Sequence, residues 1–268
     1  MASELASEVP ANSNKGITLP PIACEEDELT LRYQYVTLVR NPEERTAELN
    51  ITAPETCPSN ADGAYAEAGA WWYLQAFREL DAALLELRMN YRDIALVLLR
   101  AKGSALTVLA TDELVNGSDH WFVNETRHLV KRVLKRLDLS SKSVYSVCDE
   151  GTTFVGTFLE LALASDRTYV LNDPDMPVNL GVSAVNAGTY PMSNGISRLE
   201  TRFLGTPEQV QAVLDAGTSF DADTADELGL ATFAPDDIDW EDELRLAIEE
   251  RASFSPDALT GMESNLRF

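Results

Sequence analysis

The sequence predicts an α/β protein built on a mostly parallel sheet. Three observations predict it. Lys142–Leu171 (KSVYSVCDEGTTFVGTFLELALASDRTYVL) reads as strand, short glycine-containing loop, helix and strand. Ile94–Leu99 (IALVLL) is a continuous apolar run, the pattern of a strand buried on both faces. Around these blocks apolar residues recur at helical spacing, so strands alternate with helices, which implies parallel strands joined by crossovers.

The elements follow in order. Residues 1–28 are rich in Ser, Pro, Asn and Glu and read as a flexible tail or linker, leaving 29–268 as one domain. Leu31–Val39, a turn at Asn41–Arg45 and Ala47–Thr52 form a hairpin signal. Residues 53–63 are loop. Leu74, Phe77, Leu80, Leu84 and Leu87 mark a helix over Tyr65–Asn90, with Trp71 and Trp72 as core or interface residues. Arg100–Thr111 reads as a loop after the Ile94–Leu99 strand. His120–Leu137 is a second helix. Its Arg127, Lys131 and Lys135, beside His128, Arg132 and Arg136, form a basic stripe. The stripe meets phosphates or an acidic partner, or it is an ordinary solvated face. Val144–Cys148 is a strand and Thr157–Ser165 a helix with Glu160 in its first turn. Helices are expected over Ile196–Leu204, Pro207–Ala216, Ala222–Leu228 and Trp240–Arg251, and a last one from Pro256 with Ser255 as N-cap. Leu230–Phe233 reads as a short strand.

Composition bounds the function. With 44 acids against 21 bases the net charge is −23, which argues against nucleic acid and anionic membranes as partners. Only 5 of the bases are Lys. An acid-rich, Lys-poor surface suits a high-salt cytoplasm, and an ordinary acidic enzyme is the alternative. The three cysteines, Cys24, Cys57 and Cys148, lack zinc or disulfide spacing. His120 and His128 stand eight apart, too far for an i, i+4 ligand pair. No signal peptide or bilayer-length apolar run is visible, so a cytoplasmic protein is expected. The loop Asp149–Gly156 leads into a helix N-terminus with an acid one turn in, a place to stabilise an oxyanion and move a proton.

The order of these blocks, with KGSALTVLATDEL, LELALASDR, YPMSNGISRL and DADTADELGLATFAPDD, resembles the crotonase (enoyl-CoA hydratase/isomerase) superfamily over about residues 30–266. AWWYLQAFRELD, LDLSSKSVYSV, PDDIDW and EERASFSPDALTGMESNLRF are similar to the second half of the benzoyl-CoA-dihydrodiol lyase (2,3-epoxybenzoyl-CoA dihydrolase) family. That family's chains are about twice as long, so a fragment or split subunit, cut short at its C-terminal end, is expected. The resemblance implies a crotonase-like spiral of ββα units with C-terminal helices. It implies an acyl-CoA substrate and no cofactor beyond the CoA that the substrate carries.

It also implies site residues. Two backbone amides, at Val108 and Thr157, would hold the thioester oxygen, each such donor being worth roughly 10²–10³ in rate. Glu160 falls on one of the two acid/base glutamates of the hydratases. The second should fall near Ser183–Ala184, where there is no acid, and Glu150 or Asp149 would substitute. The family's loop glycines are replaced by Gly156-Thr157-Phe158, and its Ala-Gly-Ala-Asp by Val108-Leu109-Ala110-Thr111. Two functions stay open. One is ring opening of an oxygenated benzoyl-CoA in aromatic degradation, with generic enoyl-CoA hydration as a variant. The other is a non-catalytic half that scaffolds, as a homo-oligomer or beside a missing N-terminal half.

Overall fold

The computed structural model describes residues 16–176 and 178–267. Residues 1–15 of the expected tail lie outside them, and the rest of it is not loose: Pro20 O accepts from Arg78 Nη2 at 2.7 Å and Glu25–Glu26 form a strand. Four strands open the described chain: β1 (Glu25–Glu26), β2 (Thr30–Arg32), β3 (Val36–Asn41) and β4 (Thr46–Ala53). Each pairs antiparallel with the one before. The expected hairpin is present, but Leu31–Val39 is two strands. Tyr33 N–H turns back onto Val36 O at 2.8 Å, and Tyr35 N–H leaves the ladder for Glu79 Oε2 at 2.7 Å. Alternation along β3 and β4 buries Val36, Leu38, Leu49 and Ile51 and turns Thr37, Val39, Glu48 and Asn50 to the other face. Arg45 ends the hairpin turn at φ 59°. Its Nη1 donates to Ala252 O (2.6 Å) and Phe254 O (2.9 Å) near the end of the chain.

The helix expected over Tyr65–Asn90 is two. α1 (Ala61–Glu67) is capped by Asn60, whose side chain accepts from Gly63 N–H, and it stops at Ala68, where φ is 51°. A 3-10 turn (Ala68–Ala70) leads into α2 (Trp72–Met89). Trp71 and Trp72 are core residues, and Trp72 Nε1 donates to Thr111 Oγ1 at 3.3 Å. β5 (Leu96–Gly103) continues four residues beyond the predicted strand, parallel to β4. The expected loop at 100–111 is therefore strand end and helix. Gly103 (φ 100°) lies so close to β4 that a Cβ would stand 2.1 Å from Ala53 O. Ser104 then caps α3 (Ala105–Gly117) by accepting from Thr107 N–H.

α4 (Trp121–Asp138) packs on α2, and its basic stripe is partly satisfied within the fold. Arg136 pairs with Asp81, and Arg127 donates to Val115 O. β6 (Ser143–Cys148) is buried along its whole length and parallel to β5. β7 (Thr153–Val155), inside the expected loop 149–156, pairs parallel with β9 (Asn179–Gly181) in a separate two-stranded sheet. α5 (Thr157–Leu163) leads to β8 (Arg167–Val170), and the main sheet runs β1-β2-β3-β4-β5-β6-β8.

A 3-10 turn at Ala184–Ala187 precedes α6 (Arg198–Arg202), α7 (Glu208–Asp215) and α8 (Ala222–Glu227). In place of a strand at Leu230–Phe233 there is a single bridge from Phe233 to Tyr169. α9 (Trp240–Ser253) lies on the outer face of the sheet over Leu96, Leu98, Tyr145, Val147 and Tyr169. α10 (Pro256–Arg267) starts as predicted, with Ser255 Oγ accepting from Ala258 N–H at 3.2 Å. Among the described residues no helix is long and apolar enough to cross a membrane.

Candidate active site

The segment that leads into α5 is shaped by one glycine. Gly156 has φ 50°, and a Cβ there would stand 1.8 Å from Asp112 Oδ2 and 2.9 Å from Ser183 Oγ. Only glycine fits, for its dihedral and for the space. Thr157 follows as the first residue of α5 with its N–H directed outward from the helix end.

That N–H is occupied. It donates to Asp112 Oδ2 at 2.9 Å, and Thr157 Oγ1 is hydrogen-bonded to Asp112 Oδ1. Ser183 Oγ donates to the same Oδ2 at 2.8 Å. Asp112 is only 1% exposed. Burial pushes its carboxyl up to about 7, against the lowering effect of the Thr157 and Ser183 hydrogen bonds. The network continues from Thr157 Oγ1 to Tyr73 OH (2.8 Å) and on to Tyr190 OH. Both phenols are buried, and burial raises both above the usual range.

The other predicted amide does not join it. Val108 lies in the first turns of α3, fully buried, and its N–H donates to Ser104 O at 3.2 Å. The two predicted donors therefore do not converge on an open position. One is inside a helix, and the other holds a side-chain carboxylate.

Glu160 is buried as well, and its two oxygens have separate partners. Oε1 accepts from Asn186 Nδ2 at 2.8 Å and Oε2 from Arg198 Nη1 at 3.0 Å. Burial raises its carboxyl, and the Arg198 charge and the Asn186 hydrogen bond oppose that. Arg198 is 2% exposed and also grips Asp138 through Nε (3.0 Å) and Nη2 (2.6 Å). Glu150 stands apart, exposed in the turn between β6 and β7. Its neighbour Asp149 pairs with Arg100 at 3.0 Å.

Sequence reading placed Thr157 and Glu160 in this cluster and missed Asp112, Tyr73, Tyr190, Asn186 and Arg198. One signal for Asp112 was present. With Val108, Thr111 and Val115 it forms the buried face of α3, so it is an acid on an apolar helical stripe. The others come from distant parts of the chain, and no local spacing announces them.

Solved structures match this architecture. An enoyl-CoA hydratase of Geobacillus kaustophilus superposes with a TM-score of 0.62, over 88% of this chain and 81% of that one, at 18% identity. An enoyl-CoA hydratase/isomerase of Marinobacter aquaeolei gives 0.60, over 87% and 83%, at 16% identity. The chain has the crotonase fold. The sequence adds a nearer likeness. The crotonase-fold chain is 43% identical over 265 residues to the benzoyl-CoA-dihydrodiol lyase of Aromatoleum evansii, across 98% of this chain and 48% of that protein. The resemblance to that lyase read from the sequence is thus borne out, and the chain spans about half the length of this curated relative. No family model matches it.

Proposed function

We propose that the chain is one crotonase-fold unit of a lyase that opens the ring of an oxygenated benzoyl-CoA, a dihydrodiol or an epoxide. In this reading the C–C cleavage with water addition takes place in the cytoplasm. The 43% identity to benzoyl-CoA-dihydrodiol lyase supports the reaction class. The free thiols Cys24, Cys57 and Cys148 agree with a reducing compartment. The reading calls for no cofactor beyond the CoA of the substrate.

Within that lyase this unit has a scaffolding role, beside a second unit that binds the thioester. One observation carries this: the Asp112 carboxylate accepts the Thr157 N–H that an enolate oxygen would need. A thioester oxygen entering there would have to displace a carboxyl group already held by three hydrogen bonds. The test is turnover of the benzoyl-CoA dihydrodiol or epoxide to ring-opened dialdehyde. The chain alone is expected to give none, and the chain with its partner unit is expected to give product. Turnover by the purified chain alone would defeat the scaffolding role.

A second reading rests on the place of Asp112, whose Oδ2 accepts from Ser183 Oγ at 2.8 Å, with a carboxyl that burial raises to about 7. It makes Asp112 the proton-transfer group in place of the acid missing near Ser183, since a group poised near the working pH suits that task. It predicts turnover by the chain alone that rises with pH through about 7 and is lost in Asp112→Asn.

A further inference from the structure

The outer face of the main sheet is covered unevenly. α9 lies over β5, β6 and β8. Beside it, over β3 and β4, the same face opens into a groove of about 920 Å³. A second groove of about 560 Å³ runs along α9 and shares Glu44, Leu244 and Ile248 with the first. The floor is mostly apolar, with Leu29, Val39, Leu98, Leu244 and Ile248, and Glu48 lies between Val39 and Leu98. Strand register sets Val39, Glu48 and Leu98 side by side across three strands. Leu29 is 41% exposed and Val39 38%.

Both walls are acidic. Glu28, Glu43 and Glu44 stand on the hairpin side and Glu241 on the α9 side, while Glu48 and Glu249 are already paired with Arg100 and Arg245. The arginines nearby are already engaged. Arg40 and Arg100 line the groove themselves: Arg40 lies 3.8 Å over the Tyr91 ring and donates to Glu28 O, Arg100 pairs with Asp149 and Glu48, and Arg245 bridges Asp242 and Glu249.

We propose that this groove docks an amphipathic helix of a partner protein, with one apolar face flanked by Arg and Lys. A helix on a sheet packs beside its neighbour at about 8–10 Å, and the strip next to α9 is that position. The apolar floor would take the apolar face as in other helix-in-groove contacts. The acidic walls select the sign of the flanks. A twofold contact with a second copy of this chain is disfavoured, because it would set the same glutamates against one another. An anionic membrane is disfavoured for the same reason. The proposal does not depend on the lyase reading.

The probe is an 18-residue synthetic helix with Leu at i, i+3, i+4 spacing and Lys/Arg flanks. Its control has the same Leu stripe and Glu flanks. Each is titrated calorimetrically against the whole chain at low salt. The basic peptide should bind at least tenfold more tightly than the control and weaken as salt rises. Val39→Arg combined with Glu44→Lys, both at exposed positions, should reduce its binding tenfold with unchanged circular dichroism. Equal binding of the two peptides, no binding, or binding indifferent to the double variant would overturn the proposal. A concentration-dependent dimer in sedimentation, broken by Val39→Arg, would assign the groove to a second copy and overturn it as well.

Discussion

Asp112 brings a carboxylate into the interior where its three hydrogen-bond partners are neutral. Its folded value of about 7 lies above the ordinary 3.8, so the fold favours the protonated acid. The stability it contributes is full below about pH 4 and is lost as pH rises through 7. The shift corresponds to roughly 4 kcal/mol as an upper bound. Asp112→Asn cannot ionise, so the difference in urea stability between wild type and variant should shift in the variant's favour between pH 4 and 8. A difference that stays flat across that window would show that the carboxyl titrates normally. The direction of the hydrogen bonds fits a titrating group. A protonated Asp112 can donate to Thr157 Oγ1, which can then donate to Tyr73 OH, so the chain has a consistent arrangement in either state. The helix start and Glu160 are legible in the sequence. Asp112 is not, because a carboxylate thirteen residues past the Ile94–Leu99 run looks like a surface acid until α3 is folded against Gly156.

At the scale of elements, Arg198 is a clamp. From the first turn of α6 it holds Glu160 of α5 and Asp138 at the end of α4. Removing one partner of a buried ion pair leaves an uncompensated charge and costs about 3–5 kcal/mol. Arg198→Met leaves two such carboxylates and should lower the melting temperature by many degrees, and Glu160→Gln, which keeps the shape, should cost less. If the two variants melt alike, the pairing carries little weight in the folded state. The elements most legible in the sequence were those whose pattern is their own cause: the Ile94–Leu99 run, the β6 strand and the capped α10. The misread ones depend on distant contacts. Tyr35 breaks its strand for Glu79, β7 exists only because β9 lies alongside, and the 100–111 stretch lengthens β5 because Ala53 is there to pair with Gly103.

For the whole molecule the dominant quantity is the charge of −23. At 0.1 M salt the screening length is about 10 Å and at 1 M about 3 Å, so added salt removes repulsion between surface acids faster than it weakens the buried pairs. The urea midpoint should therefore rise between 0.1 and 2 M KCl. A falling midpoint would mean that exposed ion pairs such as Arg245 with Asp242 and Glu249 outweigh the repulsion. Arg45 adds a consequence in time. Its carbonyl acceptors lie 207 and 209 residues downstream, so on the ribosome the hairpin exists long before its lock does. Closing a loop of that length costs entropy before the contact repays it, so this closure is expected late in folding. Arg45→Ala should then speed unfolding while leaving the refolding rate nearly unchanged in stopped-flow measurements. A refolding limb slowed as much as the unfolding limb is quickened would place this closure within the nucleus instead.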